Sequence, residues 1–346
     1  MGYGAILVGT DGSETARVAE GVATKLAMQA RGRLIVVSAY ASDEGRTSSE
    51  RAVAEARGRV EGSGLHAETH VVSANPAPAI TELADRLDAD LIVVGDVGMG
   101  GPRRFRLGGV ADQVSHSMPC DLLIVRTTKG DRAKPGGDYE SVLIATDGSP
   151  TADHAARVGA DFARSLGASL TLVDVGEPVT ADIVLRDTAE RLGDPDVPKR
   201  VLSGDPGDRI AELAGSEGHD LVVVGNKGMS GSMRFLLGTV PNKVSHLAPC
   251  DVLIVNTVGR SLEDLAPGDG AVVVVAGKKV AAYREESGGL VALSPKCKHL
   301  GCTVGWNHRR KTWDCPCHGS RYDPYGNVVN GPTRHPLDRV EMGSSA

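Results

Sequence analysis

The chain has 346 residues, 41% of them hydrophobic and 24% charged, with aromatics at only 3%. That length suggests two or three domains, whose cores must be built from Val, Leu, Ile and Ala. A net charge of -6 excludes a general nucleic-acid or anionic-membrane binder.

No apolar run reaches about eighteen residues, so no helical membrane span is expected. The opening Met1-Gly2-Tyr3-Gly4-Ala5-Ile6 lacks the charged and apolar regions of an export signal, which makes the cytoplasm the expected location. The first two-thirds is one unit written twice. Ile6-Leu7-Val8-Gly9-Thr10-Asp11-Gly12-Ser13 recurs as Val142-Leu143-Ile144-Ala145-Thr146-Asp147-Gly148-Ser149. Pro119-Cys120-Asp121-Leu122-Leu123-Ile124-Val125 recurs as Pro249-Cys250-Asp251-Val252-Leu253-Ile254-Val255. The offset falls from 136 early to 130 late, so the first copy carries a short insertion. In that copy apolar runs fall near 5–9, 34–38, 69–72, 91–95 and 122–126, short and apolar on both faces. Such runs read as parallel strands covered by helices on both sides. Between them lie amphipathic stretches such as 13–30, with Ser13 as N-cap. The alternation predicts a doubly wound parallel α/β sheet for each copy. A polar Gly/Pro linker spans 127–137, and a second break falls near 259–268. Beyond it, 271–276, 279–284 and 290–293 read as short strands of an all-β domain. The expected domains are 1–128, 139–258 and 265–346.

In the second copy, strand 221–224 runs into Gly225, Gly228 follows after two intervening residues, and Gly238-Thr239 opens a helix over 240–247. Glycines let a backbone approach a ligand closely, and free N–H groups at a helix start suit phosphate. The spacing Gly-x2-Gly-x9-Gly-Thr resembles the nucleotide-binding motif of the universal stress protein family, with its adenine nucleotide alpha hydrolase-like fold. That resemblance implies ATP or another adenine nucleotide as ligand. It implies Asp147 and Val175 at the adenosine, and Gly225, Gly228, Gly238 and Thr239 at the phosphates. In the first copy Asp11, Gly95, Gly98 and Gly108 stand at matching places. There Gly109 replaces the hydroxyl residue and Asp96 replaces Asn226, setting a carboxylate near the phosphates. Arg103, Arg104 and Arg106 are available to offset it. Asp11 and Asp147 have a plainer role as caps of the turns they begin. Cys120 and Cys250 read as buried, inert thiols.

Four of the six cysteines lie between 297 and 317. Cys297-Lys298-His299-Leu300-Gly301-Cys302 is followed by Cys315-Pro316-Cys317-His318-Gly319-Ser320. Each stretch offers a thiolate, an imidazole and a spare thiol. Soft thiolates suit ferric iron, and neutral imidazoles on a second iron raise the reduction potential. A Cys2His2 zinc site is the plainer alternative. Residues 265–340 resemble the Rieske family. The resemblance implies a [2Fe-2S] cluster with Cys297 and Cys315 on one iron and His299 and His318 on the other. It implies a Cys302–Cys317 disulfide, and cluster-tuning hydrogen bonds from Ser320 and Tyr322. It also implies a covering proline loop from Gly331-Pro332 to Pro336-Leu337.

Together these features predict a cytoplasmic electron carrier with tandem nucleotide-binding domains. Its partner would be an electron donor or acceptor protein, such as a flavoprotein. A redox- or iron-sensing stress regulator is the alternative. A Rieske oxygenase would need a mononuclear iron triad that neither repeat supplies. No catalytic nucleophile or acid–base pair stands out. Related stress-protein domains dimerise, so a homodimer or an intrachain pair of the two copies is expected.

Overall fold

A computed structural model describes residues 3–97, 107–127, 137–226, 237–257, 262, 265, 267–275, 278–307, 310–315 and 318–341. The chain divides into two units, Met1–Thr257 and Val258–Ala346. Among the described residues no helix is long and apolar enough to cross a membrane.

The first copy runs β1 (Ala5–Gly9), α1 (Glu14–Ala30), β2 (Arg33–Tyr40), α2 (Asp43–Gly62), β3 (Ala67–Ser73), α3 (Pro76–Arg86), β4 (Leu91–Gly95), α4 (Gly109–Ser117) and β5 (Asp121–Val125). The second repeats the order with β6 (Ser141–Ala145), α5 (Pro150–Leu166), β7 (Ser169–Val175), α6 (Pro178–Arg191), β8 (Lys199–Leu202), α7 (Pro206–Ser216), β9 (Leu221–Gly225), α8 (Thr239–Leu247) and β10 (Asp251–Val255). Within each copy every strand pair is parallel. The strands read as continuous apolar runs because both faces are covered. Ile6, Val8, Leu91 and Val93 enter one core, and Leu7, Ile92 and Val94 enter the other. Each such side chain contributes roughly 1.5–3 kcal/mol when fully buried. Helix starts follow their caps: Ser13 Oγ accepts from Ala16 N at 3.1 Å, and Ser149 Oγ from Ala152 N at 3.2 Å.

The six-residue insertion lies in α2, which has 20 residues against 14 in α6. Arg59 on α2 pairs at 2.7 Å with Glu20 of α1, a buried carboxylate that also accepts from Thr10 Oγ1 at 2.6 Å. The second copy has Ala156 at the matching place and no such network there.

The two copies form one sheet. β5 pairs antiparallel with β10 in the register Leu122↔Ile254, Leu123↔Leu253 and Ile124↔Val252. The ten-strand order is β3-β2-β1-β4-β5-β10-β9-β6-β7-β8. A pseudo-twofold pattern of side chains frames this seam. Asp121 Oδ1 accepts from Asn256 N and its Oδ2 from the Tyr3 phenol, both at 2.8 Å. Asp251 Oδ1 accepts from Arg126 N at 2.7 Å and its Oδ2 from the Tyr139 phenol at 2.8 Å. Both tyrosine rings rest on Phe162, with centroids 5.8 and 6.0 Å away.

The second unit is all β. β11 (Asp269–Val275), β12 (Lys278–Arg284) and β13 (Leu290–Leu293) form a three-stranded antiparallel sheet. β14 (Gly305–Asn307), β15 (Thr312–Asp314), β16 (Arg321–Tyr322) and β17 (Val328–Asn330) form a four-stranded one. Their shared core holds Leu293, Trp306, Trp313 and Tyr322. A Cβ at Gly270 would come within 2.7 Å of the Trp306 ring, so glycine lets the indole lie against β11. Trp306 Nε1 donates to Asp269 Oδ1 at 2.9 Å.

Burial pushes the Asp121 carboxyl up to about 6 from the ordinary 3.8, against hydrogen bonds from Asn256 and Tyr3 that favour the ionised form. A raised carboxyl contributes stability that is present below its unfolded pKa and is lost as pH rises through its folded pKa. Between pH 4 and 7, wild type should therefore lose about 2 kcal/mol relative to Asp121→Asn. Denaturant unfolding of both proteins across that range checks it; a gap that stays constant, or closes in the opposite sense, refutes it.

Candidate metal centre and nucleotide loops

The two cysteine-rich stretches fold into the same turn. Cys297 N donates to Cys302 O at 2.8 Å, and Gly301 N donates back to Cys297 O at 2.8 Å. Cys315 N donates to Ser320 O at 2.7 Å, and Gly319 N to Cys315 O at 3.1 Å. In both, the fifth residue is a glycine in the left-handed region, Gly301 at φ 77 and Gly319 at φ 72. The shared six-residue spacing with glycine fifth is visible in the sequence, and motif reading passes over it.

These turns sort the donors by depth. Cys297 and Cys315 are 2% and 3% exposed. His299 and His318 lie at the surface, their rings edge-to-face with centroids 4.7 Å apart. Burial is the largest influence on the Cys297 thiol and pushes it up, but several polar neighbours together outweigh it. First among them is the hydrogen bond from the Tyr322 phenol at 3.1 Å, and the nearby Ser320 hydroxyl is one of the rest. The His299 backbone and the Cys315 side chain add to that, leaving the thiol below its ordinary value. The Tyr322 oxygen also accepts from Lys298 N at 3.1 Å, fixing the phenol against the first turn. Among the described residues no three His, Cys, Asp or Glu side chains converge on one ion position. The four donors instead divide into a sulfur pair and a nitrogen pair. That division suits two irons of unequal ligation better than one tetrahedral zinc.

Among the described residues the fully buried Ser320 hydroxyl finds no well-formed hydrogen bond, only the Cys297 thiol nearby. Such a hydroxyl is costly in a finished core, and a cluster sulfide would satisfy it. Cys302 stands half-buried as a thiol, and Cys317 lies outside the described residues. The loop of residues 331–337 begins at Gly331, whose φ is 114. A Cβ there would lie 2.5 Å from Ser320 Cα, so only glycine lets this loop close on the second turn. Arg310 is exposed between the turns, whereas Lys311 Nζ donates to Gly268 O at 2.8 Å; Arg309 lies outside the described residues.

In the first unit the nucleotide-loop residues gather at strand ends. Gly225 ends β9, Gly238 is the N-cap of α8, and exposed Thr239 is its first residue. Gly238 N donates to Asn226 O at 2.9 Å, which cinches the base of the loop. Asp147 Oδ1 accepts from Ser149 N at 3.0 Å, and Asp11 Oδ1 accepts from Ser13 N at the same distance. Both aspartates therefore shape their turns. Val175 ends β7, half-buried. Gly95 ends β4, and Gly108 N donates to Asp96 O at 2.6 Å. Gly98, Gly228, Arg103, Arg104, Arg106 and most of the inter-copy linker lie outside the described residues.

One expectation fails. Among the described residues the Asp96 carboxylate is turned to the end of β5 rather than left open toward the phosphate loop. Its Oδ1 accepts from Thr127 N at 2.9 Å and Thr127 Oγ1 at 2.6 Å, and its Oδ2 lies 3.7 Å from Arg126 Nη1. Buried as it is, the carboxylate takes the nearest donors, which come from the end of β5. Asn226 repeats the cap on Thr257.

Residues 2–126, 138–186 and 181–256 match the universal stress protein family, and residues 257–341 match the Rieske [2Fe-2S] domain. A universal stress protein of Mycobacterium tuberculosis is 29% identical over 238 residues, covering 62% of this chain and 78% of that protein. The Rieske 2Fe-2S iron-sulfur protein YhfW of Bacillus subtilis is 48% identical over 64 residues, covering 18% of this chain but only 13% of that protein. A universal stress protein from Archaeoglobus fulgidus shares the fold of the first unit. Its TM-score is 0.60 at 20% identity, over 73% of this chain and 98% of that one.

Gly331→Ala should destabilise the second unit by about 2 kcal/mol or more, because the new methyl meets backbone and the φ is strained. Iron content per purified chain should fall with it. Wild-type stability and iron content in this variant would mean that the loop does not close on Ser320.

Proposed function

Because the chain belongs to the universal stress protein family and carries a C-terminal Rieske [2Fe-2S] domain, we propose that it is a cytoplasmic one-electron carrier whose tandem stress-protein unit binds an adenine nucleotide. The observation that carries the electron-transfer reading is the sorting of donors, thiols inside and imidazoles outside, on two matching turns. In this reading Cys297 and Cys315 hold one iron, and His299 and His318 hold the other. When bound, the cluster supplies a site that accepts and returns a single electron. The chain's own residues do the rest. Tyr322 holds Cys297 in place, Ser320 offers its hydroxyl, and the Gly331 loop shields the second turn from water. A Cys302–Cys317 disulfide would tie the turns together. The exposed imidazole face, with Leu300 67% exposed beside it, is where an electron-transfer partner such as a flavoprotein would dock.

For the nucleotide, the supporting geometry is the cinched loop that runs into α8. Thr239 there presents a hydroxyl at the N-terminus of α8, beside the backbone N–H groups of Thr239 and Val240. Asp147 and Val175 would flank the adenosine. The first copy lacks that hydroxyl, having Gly109.

Absorption and EPR spectroscopy of the purified chain should show a two-iron cluster with mixed nitrogen and sulfur ligation; a colourless protein containing zinc after anaerobic reconstitution would falsify the carrier reading. Ser320→Ala and Tyr322→Phe should each lower the midpoint potential by about 40 mV, the equivalent of about 1 kcal/mol for one electron. Unchanged potentials would remove both residues from any tuning role. Cys302→Ser should shorten cluster lifetime, and an unaltered lifetime argues against the disulfide. Calorimetry should detect ATP binding, and a midpoint potential that moves with ATP would establish coupling between the units.

A further inference from the structure

Among the matched positions at which the two halves of the first unit differ, two polar ones meet at the seam. Where the first copy has Asp96 and Arg126, the second has Asn226 and Asn256. In the second copy Asn226 Nδ2 donates to Asn256 Oδ1 at 3.1 Å, and Asn256 Nδ2 donates to Met118 O at 3.3 Å. That is one long, neutral contact to the end of α4. In the first copy Arg126 does far more. Its Nε donates to Ala248 O at 2.9 Å, and its Nη2 donates to Ser245 O at 2.7 Å. Both carbonyls lie at the C-terminal end of α8, across the seam.

We infer that Arg126, a residue of the first copy, is a positioning residue for the phosphate-facing helix of the second. The inference rests on the nucleotide reading above. Helix α8 has only nine residues, too few to hold its own direction in water. Lys243 ties its middle to Asp208 of α7 and His246 accepts from Leu107 N, and its aim is completed by what grips its far end. A guanidinium there makes two charge-assisted bonds and sits at the negative end of the helix dipole. The grip is itself anchored. Arg126 N is bound by Asp251, and its Nη1 faces the Asp96 carboxylate that Thr127 locks. Asp96 and Arg126, which replace two asparagines of the second copy, together create the clamp on the neighbouring half. The first copy thus serves the second copy's site.

The test uses the full chain with ATP and with adenosine, which lacks phosphates. Wild type is expected to bind ATP more tightly than adenosine. Arg126→Ala should weaken ATP about tenfold while adenosine stays within about twofold, since only the phosphate helix loses its aim. Arg126→Lys should recover part of the loss by restoring a cation at the carbonyls. Asp96→Asn keeps the Thr127 caps but frees the guanidinium, and should cost ATP about threefold. Unchanged ATP affinity in Arg126→Ala, or equal losses for ATP and adenosine, overturns the inference. If Arg126→Ala does not fold, Asp96→Asn decides on the same criterion. Wild type that gives no heat with ATP ends the nucleotide reading, and this inference with it.

Discussion

An apolar strand edge cannot be left in water, and the first unit is arranged around that constraint. Leu122 to Val125 and Val252 to Val255 are entirely buried, yet each run would be the last strand of its own five-stranded half. Unpaired, each would expose a row of N–H and C=O groups between apolar side chains. Pairing β5 with β10 closes both edges at once and makes ten strands from two fives. The polar atoms at the ends of this joint are then met by side chains from the opposite copy. Asp121 reaches Asn256, Asp251 reaches Arg126, and Arg126 reaches the end of α8. Duplication therefore gives this chain an internal partner, and lets the two halves diverge where an assembly of identical chains could not.

The second unit works at a smaller scale. It has few residues for a core, and its two functional turns lie against the aromatic cluster of Trp306, Trp313 and Tyr322. Each turn is closed by two backbone bonds and one left-handed glycine, so thiol depth and imidazole exposure follow from backbone geometry. The sulfur pair is buried away from water and oxidants, while the two imidazoles stand at the surface. The buried hydroxyl of Ser320 lies between the two turns with no well-formed bond among the described residues, as a group awaiting an acceptor would.

Much of this was legible in the sequence because it is written in local signals. Apolar runs of five marked the central strands, Ser13 marked a helix start, and the doubled motifs marked the repeat. The thiol–imidazole stretches were legible because their donors lie within single turns. The seam was not. A strand buried on both faces has the same apolar run whether it ends a sheet or continues into another, so β5 and β10 gave no sign of pairing. Asp96 misled for a related reason. Its place in the motif suggested a loop-facing carboxylate, but its partners Thr127 and Arg126 come from 30 residues away in sequence. The insertion was visible as a change of offset, while its place in α2 needed the helix lengths themselves.

The aromatic cluster has a further consequence. The chain holds two tryptophans, Trp306 and Trp313, and both lie in the second unit, buried, with ring centroids 4.9 Å apart. Selectively excited indole emission is thus a built-in reporter for that unit alone. The 257 residues before it are silent in this channel. A metal cluster beside the rings would quench the signal, so filling and emptying of the site, and melting of its scaffold, can be followed by fluorescence in the intact chain without any label.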